Sequence, residues 1–374
     1  MKNTMRAVGV VPNRKEVQLI DHHTPGISAD TEIKIRTLEV GICGTDKEIC
    51  TFVYGAPPSG FDYLVLGHES LGQVVEVGTA VRHLKPGDLV VPSVRRPCSH
   101  DHCQPCRADL QDFCSTGDFT ERGIKMKHGF MTEYYVEEEK YLTYAPPELR
   151  DVAVLVEPLT VAEKALSQVW RVQQRLPWTL AGNGGKPPGH GLKAVVLGAG
   201  PVGILGVMAL ISNGFETFVY SRSPKPNPKA ELVESLGATY ISAQTETVDQ
   251  LAERVGNIDL VYEAVGAAKV SYDVLRVLGT NGIFVFTGIP APRPPIPVDA
   301  DIIMRNLVLK NQLVLGTVNA DKGAFQNAIR DLGVFSKRWP AELRALITGR
   351  YKIENFRELL IGERGGIKNV IALD

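Results

Sequence analysis

The stretch that most constrains this chain is "AVVLGAGPVGILGVMALI", Ala194 to Ile211, eighteen residues without a charge. That length approaches a membrane span. Its clustered glycines and Pro201 break it instead into a short β-branched strand, a turn and the start of a helix. The turn carries Gly198-x-Gly200-x-x-Gly203, with Pro201 and Val202 inside the spacing. The first glycine permits a tight turn, the second lets backbone approach a pyrophosphate, and the third allows close helix–strand packing. A helix N-terminus then presents free N–H groups to phosphate. The stretch therefore reads as a buried strand–turn–helix that binds a nucleotide.

What surrounds it fixes the architecture. From Lys193 onward, candidate strands at Ala194–Leu197, Thr217–Tyr220, Thr239–Ile241, Ile258–Glu263 and Gly282–Ile289 alternate with helical patterns. That alternation predicts a parallel, doubly wound α/β sheet. Residues 5–145 differ: short β-type runs such as "EIKIRTLEVGICG" and "GDLVVPSV" are separated by Gly, Pro and Asp turns. A more helical stretch, "DVAVLVEPLTVAEKALSQVWRVQQRL", follows, and "AGNGGKPPGHG", Ala181 to Gly191, reads as a boundary loop. "PAPRPPIPV", Pro290 to Val298, reads as a stiff loop, and the tail from Asp321 returns to helices and a last strand, "KNVIAL". A chain of 374 residues favours more than one domain. The boundaries expected are 1–191, 192–318 and a returning segment, 319–374.

Composition excludes several partners. The formal net charge is -1, and no basic stripe suggests nucleic acid or an acidic membrane surface. The N-terminus "MKNTMRAVGVVPNRKEVQLI" has no long apolar core of a secretion signal, so a cytoplasmic setting with reduced thiols is expected. Four of the six cysteines, Cys98, Cys103, Cys106 and Cys114, then fall within seventeen residues. Four thiolates close a tetrahedral shell around zinc, leaving no open position, so the lobe at about 95–120 reads as a structural site. His100 and His102 lie within the first gap as alternatives to Cys98.

Nucleotide choice is read at the end of the second strand. An acid there serves the ribose hydroxyls of NAD. This chain has "FVYSRSPKPNPK", with Ser221 and Arg222 and no acid nearby. A guanidinium suits a 2′-phosphate. NADP is therefore expected to be preferred, with NAD used more weakly.

A second metal set is dispersed. "GICGTD" supplies Cys43 with Thr45 two residues on, "GHES" supplies His68 beside Glu69, and "LVEPLTVAEKAL" supplies Glu157. Each has a bland reading as a core or helix-end residue. Together they give thiolate, imidazole and carboxylate, a set that zinc accepts. Neighbours on a strand point to opposite faces, so His68 and Glu69 serve one centre only if the chain bends at Gly67.

"GICGTD", "GHESLGQVVEVG", "KPGDLVV", the four-cysteine lobe and "VLGAGPVGILG" together resemble the zinc-dependent medium-chain dehydrogenase/reductase superfamily, over nearly the whole chain and in order. "VPSVRRPC", "DFCSTGDFTERGI", "KHGFMTEYYVEEEKYL" and "LVLGTVNADKGAFQNAI" resemble its glucose 1-dehydrogenase branch. The resemblance implies a GroES-like β-rich catalytic domain with a Rossmann domain inserted before the last segment, working as a homodimer or homotetramer. It implies Cys43, His68 and Glu69 as ligands of catalytic zinc, and Glu157 as a fourth ligand or substrate contact. It implies Thr45 as proton relay, Glu121 and Asn319 as contacts to sugar hydroxyls, and Asn319 beside the cofactor. Val161 stands where some sugar-binding relatives carry an acid. The implied reaction moves a hydride from C1 of an aldose, D-glucose foremost, to a nicotinamide.

Overall fold

The computed structural model describes residues 4–178, 184–291 and 293–373. Ala181–Asn183 of the expected boundary loop and Pro292 of the proline-rich loop lie outside the described residues. The chain divides into two compact units, residues 1–160 with 319–374, and residues 161–318.

The first unit is β-rich. Its main sheet runs Leu142–Ala145, Leu89–Pro92, Glu69–Val77, Glu32–Gly41, Lys368–Ala372 and Ile347–Lys352, with Tyr134–Glu138 also paired to Glu32–Gly41. The register sets Gly41 opposite Glu69 on one side and Val370 on the other. Thr4–Val11, Glu16–His23 and Leu64–Val65 form a second sheet, and Arg95–Arg96, Thr120–Arg122 and Met126–Lys127 a third. Ile33, Ile35, Leu64, Leu66, Phe130 and Ile371 belong to one buried cluster. Burial of such side chains contributes roughly 1.5–3 kcal/mol apiece. The returning segment opens on the helix Lys322–Arg338, whose N-cap Asp321 accepts the Ala324 N–H at 2.8 Å.

The second unit is a parallel six-stranded sheet in the order Thr239–Ser242, Glu216–Ser221, Lys193–Leu197, Leu260–Glu263, Ile283–Phe286, Leu313–Gly316. That is the doubly wound order, which reverses direction beside Lys193–Leu197. Ala194 to Leu197 are buried, as expected of a strand covered by helices on both faces. The strand Leu313–Gly316 was not among the sequence expectations, because "LVLG" is short and does not alternate.

The first junction departs from the expected 191. The first unit ends at residue 160, within the helix Val156–Gln173. Ala162, Ala165, Leu166 and Val169 of that helix line a small apolar space with Gly206, Leu210, Leu260, Tyr262 and Val285. Their burial commits most of the helix to the parallel sheet. The second junction falls between residues 318 and 319.

Candidate active site

The dispersed metal set is assembled by one bend and one cap. Leaving Glu32–Gly41, the chain turns at Cys43, the N-cap of the helix Gly44–Ile49. Asp46, at the third helical position and fully buried, accepts the Cys43 N–H at 2.9 Å. Its other oxygen accepts the Gly67 N–H at 3.3 Å and lies 3.4 Å from His68 Nδ1. One carboxylate thus joins two segments and turns His68 so that Nε2 is left for a ligand. Gly67 has φ +88°, and a Cβ there would lie 2.7 Å from Met131 Cγ. The strand begins only at Glu69, so His68 stands before the alternating part, and the two neighbours share a centre. Donor atoms of Cys43, His68 and Glu69 all lie within 4.8 Å of one another.

Glu69 has a partner that sequence reading missed. Lys368, 1% exposed, donates from Nζ to Glu69 Oε1 at 2.7 Å, to Oε2 at 2.6 Å and to the Ile42 carbonyl at 3.0 Å. All three ammonium donors are satisfied, as a buried charge requires. Gly41 provides the space, since a Cβ there would sit 2.1 Å from Glu69 Oε2. Burial works against the Lys368 charge, yet Glu69 and then Cys43 raise its pKa. Burial likewise disfavours the His68 imidazolium, and Asp46 and Cys43 overcome it, holding its pKa well above 6.5.

Glu157 sits in the first turn of its helix and lies outside the mutually adjacent trio. Burial, with Glu69 and Asp46 assisting and His68 and Lys368 opposing, pushes its carboxyl up to about 7. Thr45 places Oγ1 3.9 Å from Cys43 Sγ. A half-buried thiol, an oriented imidazole and a carboxylate fit a metal that keeps a position open for substrate.

The lobe differs in kind. The donor atoms of Cys98, Cys103, Cys106 and Cys114 lie within 4.8 Å of one another, with Cys103 and Cys114 sulfurs 3.9 Å apart. Cys98, not a histidine, completes the set; His100 Nε2 is 2.6 Å from Asp118, on the exposed side. The Ser115 hydroxyl first, then the Cys106 and Ser115 amides, hold the Cys103 thiol down to about 5, while burial pushes Cys106 up to about 12. Four sulfurs at this spacing fit a closed tetrahedral ion.

Glu121 and Asn319, nearly two hundred residues apart, meet: Asn319 Nδ2 donates to Glu121 Oε1 at 2.8 Å. Asn319 adopts φ +60°, and its Oδ1 accepts the Ala320 N–H at 2.8 Å. Its side chain is therefore engaged within the first unit. The Tyr54 hydroxyl, raised by burial and then by Glu121, also feels His68. The Glu121–Asn319 pair and the Cys43–His68–Glu69 trio thus both border Tyr54.

In the second unit, Gly198 has φ +97°, and a Cβ on Gly203 would lie 2.2 Å from the Gly198 carbonyl oxygen. Both glycines are required by geometry, and Gly200, with open space around its Cα, caps the helix Pro201–Ser212. At the end of Glu216–Ser221, Arg222 is exposed and makes no ion pair among the described residues. An unpaired guanidinium beside this turn fits a phosphorylated ribose.

Asp46 had a visible signal, an acid at the third helical position after a capping residue. Lys368 had none, being 299 positions from its partner.

Comparison with known proteins adds three findings. The family described as glucose dehydrogenase C-terminus matches residues 150–373, and the alcohol dehydrogenase GroES-like domain matches residues 29–147. The chain is 35% identical over 370 residues to a glucose 1-dehydrogenase of Methanocella arvoryzae, covering 99% of each chain. It is 37% identical over 371 residues to that of Thermoproteus tenax, covering 98% of this chain and 99% of that one. A structure of Haloferax mediterranei glucose dehydrogenase in complex with NADP, Zn and gluconolactone superposes with a TM-score of 0.87 at 30% identity, covering 98% of this chain and 99% of that one. At 24% identity, 2R,3R-butanediol dehydrogenase of Bacillus subtilis shares the fold, with a TM-score of 0.76 over 98% of this chain and 99% of that one.

Proposed function

Because the chain belongs to the zinc-dependent medium-chain dehydrogenase/reductase superfamily, in its glucose dehydrogenase branch, we propose that it oxidises an aldose, D-glucose foremost, at C1 to the lactone with NADP. The observation that carries this reading is that one unit holds both the Cys43–His68–Glu69 donor set and the Glu121–Asn319 pair, each bordering Tyr54. Cys43 and His68, with Glu69 beside them, would hold zinc, which would supply Lewis acidity to the C1 hydroxyl. Asp46 orients His68, and Lys368 restrains Glu69. Thr45 takes up the hydroxyl proton and passes it towards water. Glu157, poised near neutrality, is the contact that meets a second hydroxyl or joins the metal. Glu121 and Asn319 hold hydroxyls farther along the sugar. The C1 hydrogen leaves with its electron pair for the nicotinamide, and the C1–oxygen bond becomes the lactone carbonyl. Gly198, Gly200, Pro201, Val202 and Gly203 hold the pyrophosphate, and Ser221 and Arg222 the 2′-phosphate.

The active form is a homodimer or homotetramer. The edge strand Leu313–Gly316 is paired on one side, and the neighbouring helix Ala300–Leu309 has no buried residue. Met304, Val308 and Leu309 stand exposed there, an apolar face that a second copy would cover. No helix among the described residues is long and apolar enough to cross a membrane. The cysteine lobe needs reduced thiols, which supports a cytoplasmic setting.

A panel of aldoses and polyols with NADP and NAD, followed at the nicotinamide absorbance, tests the reading. Glucose with NADP should give the highest kcat/KM. A polyol or secondary alcohol outrunning every aldose would overturn the substrate. Arg222→Ala should raise the KM for NADP about ten- to a hundredfold and leave that for NAD nearly unchanged. Equal losses would remove Arg222 from phosphate recognition.

A further inference from the structure

We infer that Arg95 is a positioning residue for sugar recognition, fixing the Glu121 carboxylate and tying it to the cysteine lobe. This rests on the proposed contact between Glu121 and the sugar. Arg95 is 6% exposed and lies directly opposite Glu121 in the pairing of Arg95–Arg96 with Thr120–Arg122. Its Nε and Nη2 stand 3.1 and 3.0 Å from one oxygen, Glu121 Oε1. Asn319 adds a third donor to the same oxygen at 2.8 Å. Oε1 is thereby saturated, and no described protein group donates to Oε2. Oε2 is not one of the sealed, partnerless polar atoms among the described residues, so solvent or a ligand reaches it. Here one oxygen is clamped and its twin is left to accept a hydroxyl.

The clamp is itself held from two sides. The guanidinium lies over the Phe119 ring, 3.6 Å from its centroid. Its Nη1 donates to the Asp112 carbonyl at 3.1 Å, and Gln111 Nε2 donates back to the Arg95 carbonyl at 3.4 Å. Asp112 and Gln111 lie just before Cys114, and Arg95 just before Cys98, so the strut spans the first and last sulfurs of the lobe. The closed metal shell therefore keeps the carbonyl where Arg95 needs it, and the lobe contributes to sugar affinity as well as to folding.

Arg95→Ala should raise the KM for glucose about tenfold or more, since a charge-assisted hydrogen bond sets the geometry of Glu121. kcat and the KM for NADP should stay within about threefold, with two zinc ions retained per chain. In a double-mutant cycle, Arg95→Ala should add almost nothing to the loss caused by Glu121→Gln. An unchanged KM for glucose in folded Arg95→Ala protein, or penalties that add in the double variant, would overturn the assignment. If the alanine variant does not fold, Arg95→Gln decides by the same KM criterion. An unaltered protein that oxidises no aldose would overturn the proposed function itself, and is told apart by that control.

Discussion

The cysteine lobe and the buried mixed centre lie in one β-rich unit, and both gather donors within 4.8 Å, yet they are built on opposite plans. The lobe gathers four like donors from one short stretch, which would complete a metal's shell. The mixed centre takes unlike ligands from separate segments and needs Asp46 and Lys368 to hold them. The lesson is that the number of ligands left vacant decides between a metal that folds a protein and one that reacts. A saturated site asks little of its surroundings. An unsaturated one has to be oriented from behind, so its supports are buried, charged and distant in sequence.

The contrast is broken most severely by removing one ligand from each site. Cys43→Ser should lower kcat/KM by at least about a thousandfold, near 4 kcal/mol of transition-state stabilisation, with little change in melting temperature. Cys106→Ser should do the reverse. The melting temperature should fall by about 5 °C or more, because a closed site contributes folding free energy. The fraction that stays folded should retain its hydride chemistry, with the weakened glucose affinity that the Arg95 strut implies. Paired enzyme assays at saturating glucose and melting curves check both, and a loss of kcat and stability together in either variant would erase the distinction.

Acid probes the support beneath the lobe. Glu137 is buried between Arg96 and Arg122; burial pushes its carboxyl up, but the two guanidiniums prevail and hold it at about 2. A folded pKa below the unfolded one gives stability that is complete above about 4.5 and lost as pH falls towards 2. Glu137→Gln should therefore cost about 3 kcal/mol near neutrality, with the gap from the unaltered protein closing in acid. Urea titrations at several pH values, in chelator so that metal loss does not intrude, measure this. A gap independent of pH would show that the pair contributes by packing alone.

The gentlest test concerns orientation. Asp46→Asn keeps a similar shape while removing the charge behind His68. It should lower zinc affinity or activity by about ten- to a hundredfold and leave the lobe untouched. Equilibrium zinc binding with a competing chelator decides it.

How far the sequence foretold these sites follows the same division. The lobe was legible because its cysteines are close in sequence, and the structure gathers Cys98, rather than His100 or His102, with the other three sulfurs. Cys43, His68 and Glu69 were legible as types, and the bend at Gly67 could be named in advance, since a glycine between a strand and its histidine has few other uses. Lys368 was invisible because a lysine in a terminal strand announces nothing until the register places it beside Gly41 and Glu69. Arg95 was hidden for a similar reason: its partner, Glu121, is reached only through strand pairing. In the fold, the glycine turn and strand–helix alternation predicted the parallel sheet, but "LVLG" was too short to read as a strand. The first junction was read at a glycine-rich loop, whereas the buried face of the helix Val156–Gln173 moves it back to residue 160.

The central claim is that one unit carries two zinc sites of opposite design, and timed chelation with elemental analysis tests it most directly. Protein purified without chelators should contain two zinc ions per chain. A hydrophilic chelator should remove one of them in step with dehydrogenase activity while the melting temperature holds. The second should leave only when a thiol reagent attacks the lobe, and cooperative unfolding should weaken with it. A chain that holds a single zinc ion or none, or whose activity survives the loss of both, would contradict the account.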